Sequence, residues 1–293
     1  MFGTLVILYL FLGGAAAGTL FVMSVWSIAF HRADARHEKH HYRLQRAFKS
    51  LMSRSYVTGL ILLVFSILCL IGDLGSPERA LSLFLKPHAT VITFGSYALL
   101  LELLLGILLA AANLFDLALI SGRIRKLLEI FCCLCSCAVM VYTGVFLASN
   151  ASVPFWNTWT LVALFLFSSL SAGISVVLLT DYFIKSQTLL LRAARPLQKT
   201  HLALLLAEAL SIAAFLAIVI PNPATHKSVA LLMGPDILPT AIIGAVGMGI
   251  VAPFVLEIYT LRIKEDRTIP ISDVVCLIGG LCLRYITIIC GVH

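Results

Sequence analysis

Residues 5–30 read LVILYLFLGGAAAGTLFVMSVWSIAF, and residues 31–54 read HRADARHEKHHYRLQRAFKSLMSR. The junction between these two stretches decides the fold. The first contains no charged residue, and the second carries Arg32, Arg36, Lys39, Arg43, Arg46, Lys49 and Arg54. An uncharged stretch of this length crosses the ~30 Å hydrocarbon core of a bilayer as a helix rising about 1.5 Å per residue. A cleavable leader has its basic residues in front of the apolar run. Here they lie behind it, so residues 5–30 are expected to remain as a first transmembrane helix.

Seven more apolar runs follow, near residues 56–72, 89–113, 128–149, 158–180, 201–220, 237–261 and 272–291. The second is the shortest. The chain as a whole is 60% hydrophobic and 12% charged, with a mean hydropathy of +1.03. A water-soluble protein cannot carry that surface, so its solvent is lipid. The expected architecture is an all-α integral membrane protein of eight transmembrane helices, with residues 1–293 forming a single membrane domain.

The net charge of +7 takes its meaning from where the cations lie. The connections after the first, third, fifth and seventh runs hold 17 Lys and Arg, and the opposite connections hold only Arg79, Lys86 and Lys227. Basic loops stay on the cytoplasmic side, so both termini are expected on the outer side. The same clustering argues against a nucleic-acid partner, which needs one folded basic face. The eight Cys all fall in or at the ends of apolar runs and carry no information on redox compartment. Cys132, Cys133, Cys135 and Cys137 resemble a cluster-ligand run. Thiolates inside an apolar helix would be costly, so these are read as small apolar residues and no metal site is expected.

Runs one and five both begin outside and both carry small-residue tracts, Gly13-Gly14-Ala15-Ala16-Ala17-Gly18 and Ser168-Ser169-Leu170-Ser171-Ala172-Gly173. Small residues let helix backbones approach closely, and the spacing suggests two parallel four-helix halves.

Several strings carry a resemblance. Tyr9-Leu-Phe-Leu-Gly-Gly with Gly18 lies in run one, Gly72-Asp-Leu-Gly-Ser-Pro-Glu-Arg79 follows run two, and Tyr142-Thr-Gly-Val-Phe-Leu-Ala ends run four. Pro154-Phe-Trp-Asn157, Leu164-Phe-Leu-Phe-Ser-Ser-Leu-Ser-Ala-Gly173, Ala207-Glu-Ala209 and Leu283-Arg-Tyr-Ile-Thr-Ile-Ile-Cys-Gly291 come after them in order. Together they resemble the membrane subunit of polysulfide reductase, the NrfD-like family, over nearly the whole chain. The resemblance implies a haem-free eight-helix anchor in a bacterial or archaeal inner membrane. Such an anchor exchanges electrons with menaquinone or ubiquinone near the outer face. The partners implied are a four-cluster, ferredoxin-like iron–sulfur subunit and a molybdopterin catalytic subunit.

The residues themselves bear on that expectation. A haem anchor needs His ligands within the bilayer, and the sequence places none mid-membrane: His201 falls at a helix end. A quinone site needs an apolar slot with polar groups for the two carbonyls. Tyr9 and Tyr142 are expected at similar depth below the outer surface, either as quinone contacts or as interfacial belt tyrosines. Asp73 and His88 flank the outer connection after run two, where they can relay protons; alternatively Asp73 organises the turn and pairs with Arg79. Glu102, Glu208 and Arg284 lie deep in apolar runs, as a structural set or a proton path. Trp156 and Trp159 are read as an aromatic belt. The competing class is a secondary transporter or ion-translocating bundle, which also carries buried carboxylates and an internal repeat. Pro239 and Pro253 interrupt run seven, and run three has no matching break.

Overall fold

The computed structural model describes residues 3–34, 42–73, 75, 90–115, 122–183, 187–263 and 271–291. Eight helices within these segments are long and apolar enough to cross a membrane. They are α1 (Thr4–Asp34), α2 (Tyr42–Asp73), α3 (Val91–Leu114), α4 (Gly122–Ala148), α5 (Trp159–Tyr182), α6 (Gln187–Val219), α8 and α9 (Ile271–Gly291). A short helix, α7 (His226–Leu232), does not span. Span seven, α8, is π-helical over Thr240–Val251 and α-helical over Ala252–Ile263. His88, Arg79 and Lys86 lie outside the described residues.

Helices α1 and α5 form the seam of the bundle. A Cβ on Gly18 would overlap the Ser169 carbonyl, and one on Gly173 would overlap the backbone of Gly18. The two small-residue tracts therefore meet face to face, and they pack through their backbones because no side chain intervenes. Within the first half α1 packs on α2 and α4, and α3 on α2 and α4. Within the second half α5 packs on α6 and α9, and α8 on α6 and α9. The contacts between halves, α4 with α5 and α9 with α1, exchange under the same correspondence. The bundle is thus two four-span halves of like arrangement.

Two spans begin earlier than hydropathy places them. α2 starts at Tyr42 although its apolar run starts near residue 56, and α6 starts at Gln187 although its run starts near 201. The basic stretch that opens α2 is amphipathic: Ala47, Phe48, Leu51 and Met52 are buried at helical spacing. Phe48 stacks on Phe30 of α1 at 3.9 Å between ring centroids and meets Trp26 edge-on at 5.4 Å. Charged residues on the other face hide this stripe from a hydropathy average.

The segment after α4 also differs from expectation. Trp159 is 79% exposed, as an interfacial residue is, but Trp156 is fully buried. Its indole Nε1 donates to the Thr287 carbonyl of α9 at 2.7 Å, and its ring lies against Gly291. Trp156 is thus a core anchor between the α4–α5 connection and the end of the last span. At the same end of the bundle the Asp73 carboxylate lies beside Gly3, where α2 finishes and α1 begins.

Pro239 and Pro253 do not break span seven. Pro239 precedes the π-helical stretch with helical dihedrals, φ −61° and ψ −40°. The Ala252 N–H then reaches back five residues to Gly247. This wider turn precedes Pro253, which has no N–H to give.

Candidate functional site

Between the N-terminal part of α3 and the C-terminal part of α4 lies a cavity of about 900 Å³. Thr90, the N-cap of α3, marks its upper edge: its hydroxyl accepts the Thr93 N–H at 3.3 Å and lies 3.0 Å from the Thr93 hydroxyl. Tyr142 of α4 lines the inner wall and is buried, with its ring pressed on Gly95 of α3. Gly95 has to lack a side chain because a Cβ there would occupy the ring's place. The remaining walls are apolar except for Tyr97. Phe94, Tyr97 and Leu134 are 59%, 43% and 63% exposed, so the cavity opens sideways to the lipid-facing surface. Among the described residues the Tyr142 hydroxyl has no hydrogen-bond partner in the protein. An unpaired phenol in an apolar cavity is a binding group for a carbonyl oxygen.

The other residues expected at such a site are placed elsewhere. Tyr9 is buried on α1, where its carbonyl accepts the Ser66 hydroxyl of α2 at 3.1 Å. It is not among the residues lining the Tyr142 cavity. Asp73 ends α2 beside Gly3, on the same α1–α2 flank as Tyr9. His88 falls outside the described residues.

The three deep charges do not form one set. Glu102 on α3 is completely buried against α4, facing Ser136, and neither carboxylate oxygen has a partner at hydrogen-bonding distance. Arg284 of α9 lies across the bundle. Its Nη2 donates to the Ser169 hydroxyl at 3.1 Å and the Phe165 carbonyl at 3.3 Å, and its guanidinium sits 4.1 Å over the Phe165 ring. Glu208 of α6 faces Ser168 and Ser171 of α5, with Arg284 and His201 as its ionisable neighbours. Arg284 and Glu208 therefore both lie against the serine face of α5.

That face continues into a cluster that sequence reading missed. His201 is not at a helix end: it is fully buried inside the bundle. Its Nδ1 lies 2.6 Å from Glu257 Oε1 of α8, and its Nε2 lies 3.0 Å from the Ser171 hydroxyl, 3.4 Å from that of Ser175 and 3.8 Å from Cys276 Sγ. Asp273 of α9, also fully buried, completes a trio whose ligand atoms all lie within 4.8 Å of one another. This trio can share a proton or coordinate a divalent cation, with Ser171 orienting the ring from its other nitrogen. The signal in the sequence was Ser171-x-x-x-Ser175, a polar pair at helical spacing on one face of an apolar span. The first half has a smaller counterpart, where the Ser27 hydroxyl donates to Glu129 at 2.7 Å and Arg125 Nε lies 3.8 Å from the same oxygen.

The four Cys of α4 do not converge. Cys132 lies 4.0 Å from the Ser136 hydroxyl, Cys133 faces the Phe21 carbonyl at 3.9 Å, and Cys137 lines the Tyr142 cavity.

No curated protein matches the chain. The family described as polysulphide reductase, NrfD, comprises membrane subunits of quinone-interacting oxidoreductase complexes, which assemble with iron–sulfur and molybdopterin subunits. The sequence model of that family matches residues 1–293, the whole length of this eight-span chain. The protein therefore belongs to the polysulphide reductase NrfD family.

Proposed function

We propose that this chain is a haem-free anchor that exchanges electrons between a membrane quinone and an iron–sulfur partner subunit, with the quinone head bound between α3 and α4. The observation that carries the reading is the Tyr142 phenol, unpartnered in an apolar cavity of about 900 Å³ that opens to lipid. An isoprenoid quinone can enter from the bilayer without crossing water, place its ring against Tyr142 and leave its tail along Phe94 and Leu134. Thr90, at the end of α3, puts the cavity near a surface, where a partner's cluster can approach. The basic connections lie at the opposite end of the bundle, so the positive-inside rule orients this surface outward. The partner subunit docks there, over the segment from Asp73 to His88 and the Pro154 to Thr158 connection. Menaquinone and ubiquinone both fit an apolar slot of this kind.

A second element of the proposal is proton movement through the other half. Arg284, Glu208, Ser171, His201 and Glu257 are successive neighbours across the buried interior. A transporter would be expected to break corresponding helices in its two halves. α8 is π-helical over half its length, but its counterpart α3 is a regular α-helix, which favours the electron-transfer reading.

The test is quinone titration of the purified complex. One neutral hydrogen bond is worth ~0.5–1.5 kcal/mol, so Tyr142→Phe should weaken quinone binding about 2- to 10-fold without unfolding the bundle. Glu208→Gln should leave quinone affinity within about 2-fold. Unchanged affinity in Tyr142→Phe, with loss in Glu208→Gln, would move the site to the other half.

A further inference from the structure

His201 of α6, Glu257 of α8 and Asp273 of α9 meet in the interior of the second half, where their exposures are 0%, 2% and 0%. One donor atom from each lies within 4.8 Å of the other two. Glu257 Oε1 is 2.6 Å from His201 Nδ1, and Glu257 Oε2 is buried with no hydrogen-bond partner among the described residues. The other edge of the imidazole is held separately, with Nε2 3.0 Å from the Ser171 hydroxyl. Ser171 fixes the ring and can accept the Nε2 proton, which leaves the Nδ1 lone pair on the side of the carboxylates.

Charge decides what such a trio can hold. Two carboxylates and one protonated imidazole sum to a net negative charge, which is costly inside an apolar bundle. A divalent cation with the imidazole neutral brings the trio to zero. The buried Glu129 of the first half has a permanent cation instead, with Arg125 Nε at 3.8 Å. We propose that His201, Glu257 and Asp273 form a zinc site, in which His201 Nδ1, both Glu257 oxygens and one Asp273 oxygen hold the ion. That hold gives the orphaned Glu257 Oε2 a partner. Zinc takes His nitrogen and carboxylate oxygen at about 2.0–2.2 Å, so tetrahedral donors stand about 3.3–3.6 Å apart. The contacts here, from 2.6 Å up to 4.8 Å, bracket that spacing, and rotation of the two carboxylates closes them around an ion. Cys276 Sγ lies 3.8 Å from Nε2, on the far edge of the ring, and is not a ligand.

The placement suits an ion taken from water. His201 lies five residues inside a span that starts at Pro196, Glu257 five residues before the Arg262 that ends its span, and Asp273 two residues after the start of α9. At about 1.5 Å per residue the trio is within about 8 Å of the basic end of the bundle, remote from the Tyr142 cavity. A bound ion ties α6, α8 and α9 together there. It also occupies the imidazole edge through which a proton would pass from His201 to Glu257, so zinc and that transfer exclude one another; the binding itself does not rest on the proton reading.

The test uses the intact complex in detergent, dialysed against a chelator, returned to micromolar zinc and washed, with bound zinc counted by elemental mass spectrometry. The unaltered complex should retain about one zinc per chain that Glu257→Gln and Asp273→Asn do not retain. Ser171→Ala, which removes the hydroxyl behind the ring, should weaken the site about 10-fold. Glu102→Gln, at a buried carboxylate of the other half, should retain zinc as the unaltered chain does. X-ray absorption of the unaltered complex should show nitrogen and oxygen at about 2.0–2.2 Å, without a sulfur shell at about 2.3 Å. Zinc no higher than in Glu257→Gln would overturn the site. A shell of sulfur alone would put the zinc on cysteines and overturn it even if the variants failed to fold. Equal loss of zinc from Glu102→Gln would show a general effect of altered packing and overturn the assignment to these three residues.

Discussion

The two halves of this bundle share an arrangement of helices and differ in what they enclose. Between α3 and α4 the first half holds a large cavity whose walls are mostly apolar, with one unpartnered phenol. Among α5, α6, α8 and α9 the second half packs Arg284, Glu208, His201, Glu257 and Asp273 around the serines of α5, all of them buried. The apolar cavity between those helices is smaller, about 380 Å³, and its single polar lining residue, Thr287, already donates its hydroxyl to Leu283. One scaffold thus separates an apolar cavity from a buried polar interior. In a bilayer, every buried charge has to be compensated by its neighbours. A half that carries these five ionisable groups is therefore packed tightly around them, and the half proposed to admit a quinone keeps its cavity free of charge.

The strongest way to break this comparison is to disturb the seam that joins the halves. Gly173→Val would drive a branched side chain into the backbone of α1 at Gly18, where nothing can yield. The expected outcome is loss of monodisperse protein in size-exclusion chromatography, with both halves failing together. Next in size is Arg284→Ala, which leaves Glu208 without its guanidinium neighbour inside the second half. Removing one partner of a buried charge set costs about 3–5 kcal/mol, and Glu208→Gln in the same chain should restore part of it in thermal unfolding. A smaller loss, about 1 kcal/mol, is expected for Trp156→Phe, which keeps an aromatic ring but deletes the 2.7 Å bond to Thr287. Tyr142→Phe should be the mildest of all in stability, because its hydroxyl has no protein partner to lose; its effect belongs to ligand binding.

Much of this contrast was legible before any coordinates. Hydropathy gives the eight spans, and the tracts ending in Gly18 and Gly173 announce where two backbones touch. Tyr142 stood out as a phenol at the outer end of an apolar run. The polar cluster was not legible, because His201, Glu257 and Asp273 come from three helices and only tertiary packing brings them within 4.8 Å. Trp156 looked interfacial because it stands near Trp159 in the connection between two spans, and its burial depends on α9, more than a hundred residues later. The early start of α2 was hidden for a different reason: its amphipathic opening stretch has the average polarity of a loop.

Tyr9 and Glu102 sharpen the comparison further. Tyr9 is expected to contribute less to quinone binding than Tyr142, since it does not line the α3–α4 cavity. Glu102, buried without a hydrogen-bond partner, is with Glu129 a group of the first half of the kind that characterises the second. Glu102→Gln should be tolerated or mildly stabilising in thermal unfolding, whereas Glu257→Gln, which weakens the short bond to His201, should lower the melting temperature.

The most direct measurement is photoaffinity labelling of the intact complex with an azido-quinone, followed by peptide mapping of the adducts and competition with unlabelled quinone. The account predicts competed adducts on residues 90–97 of α3 and 134–145 of α4. Competed adducts confined to α5, α6, α8 and α9, with none beside Tyr142, would contradict it.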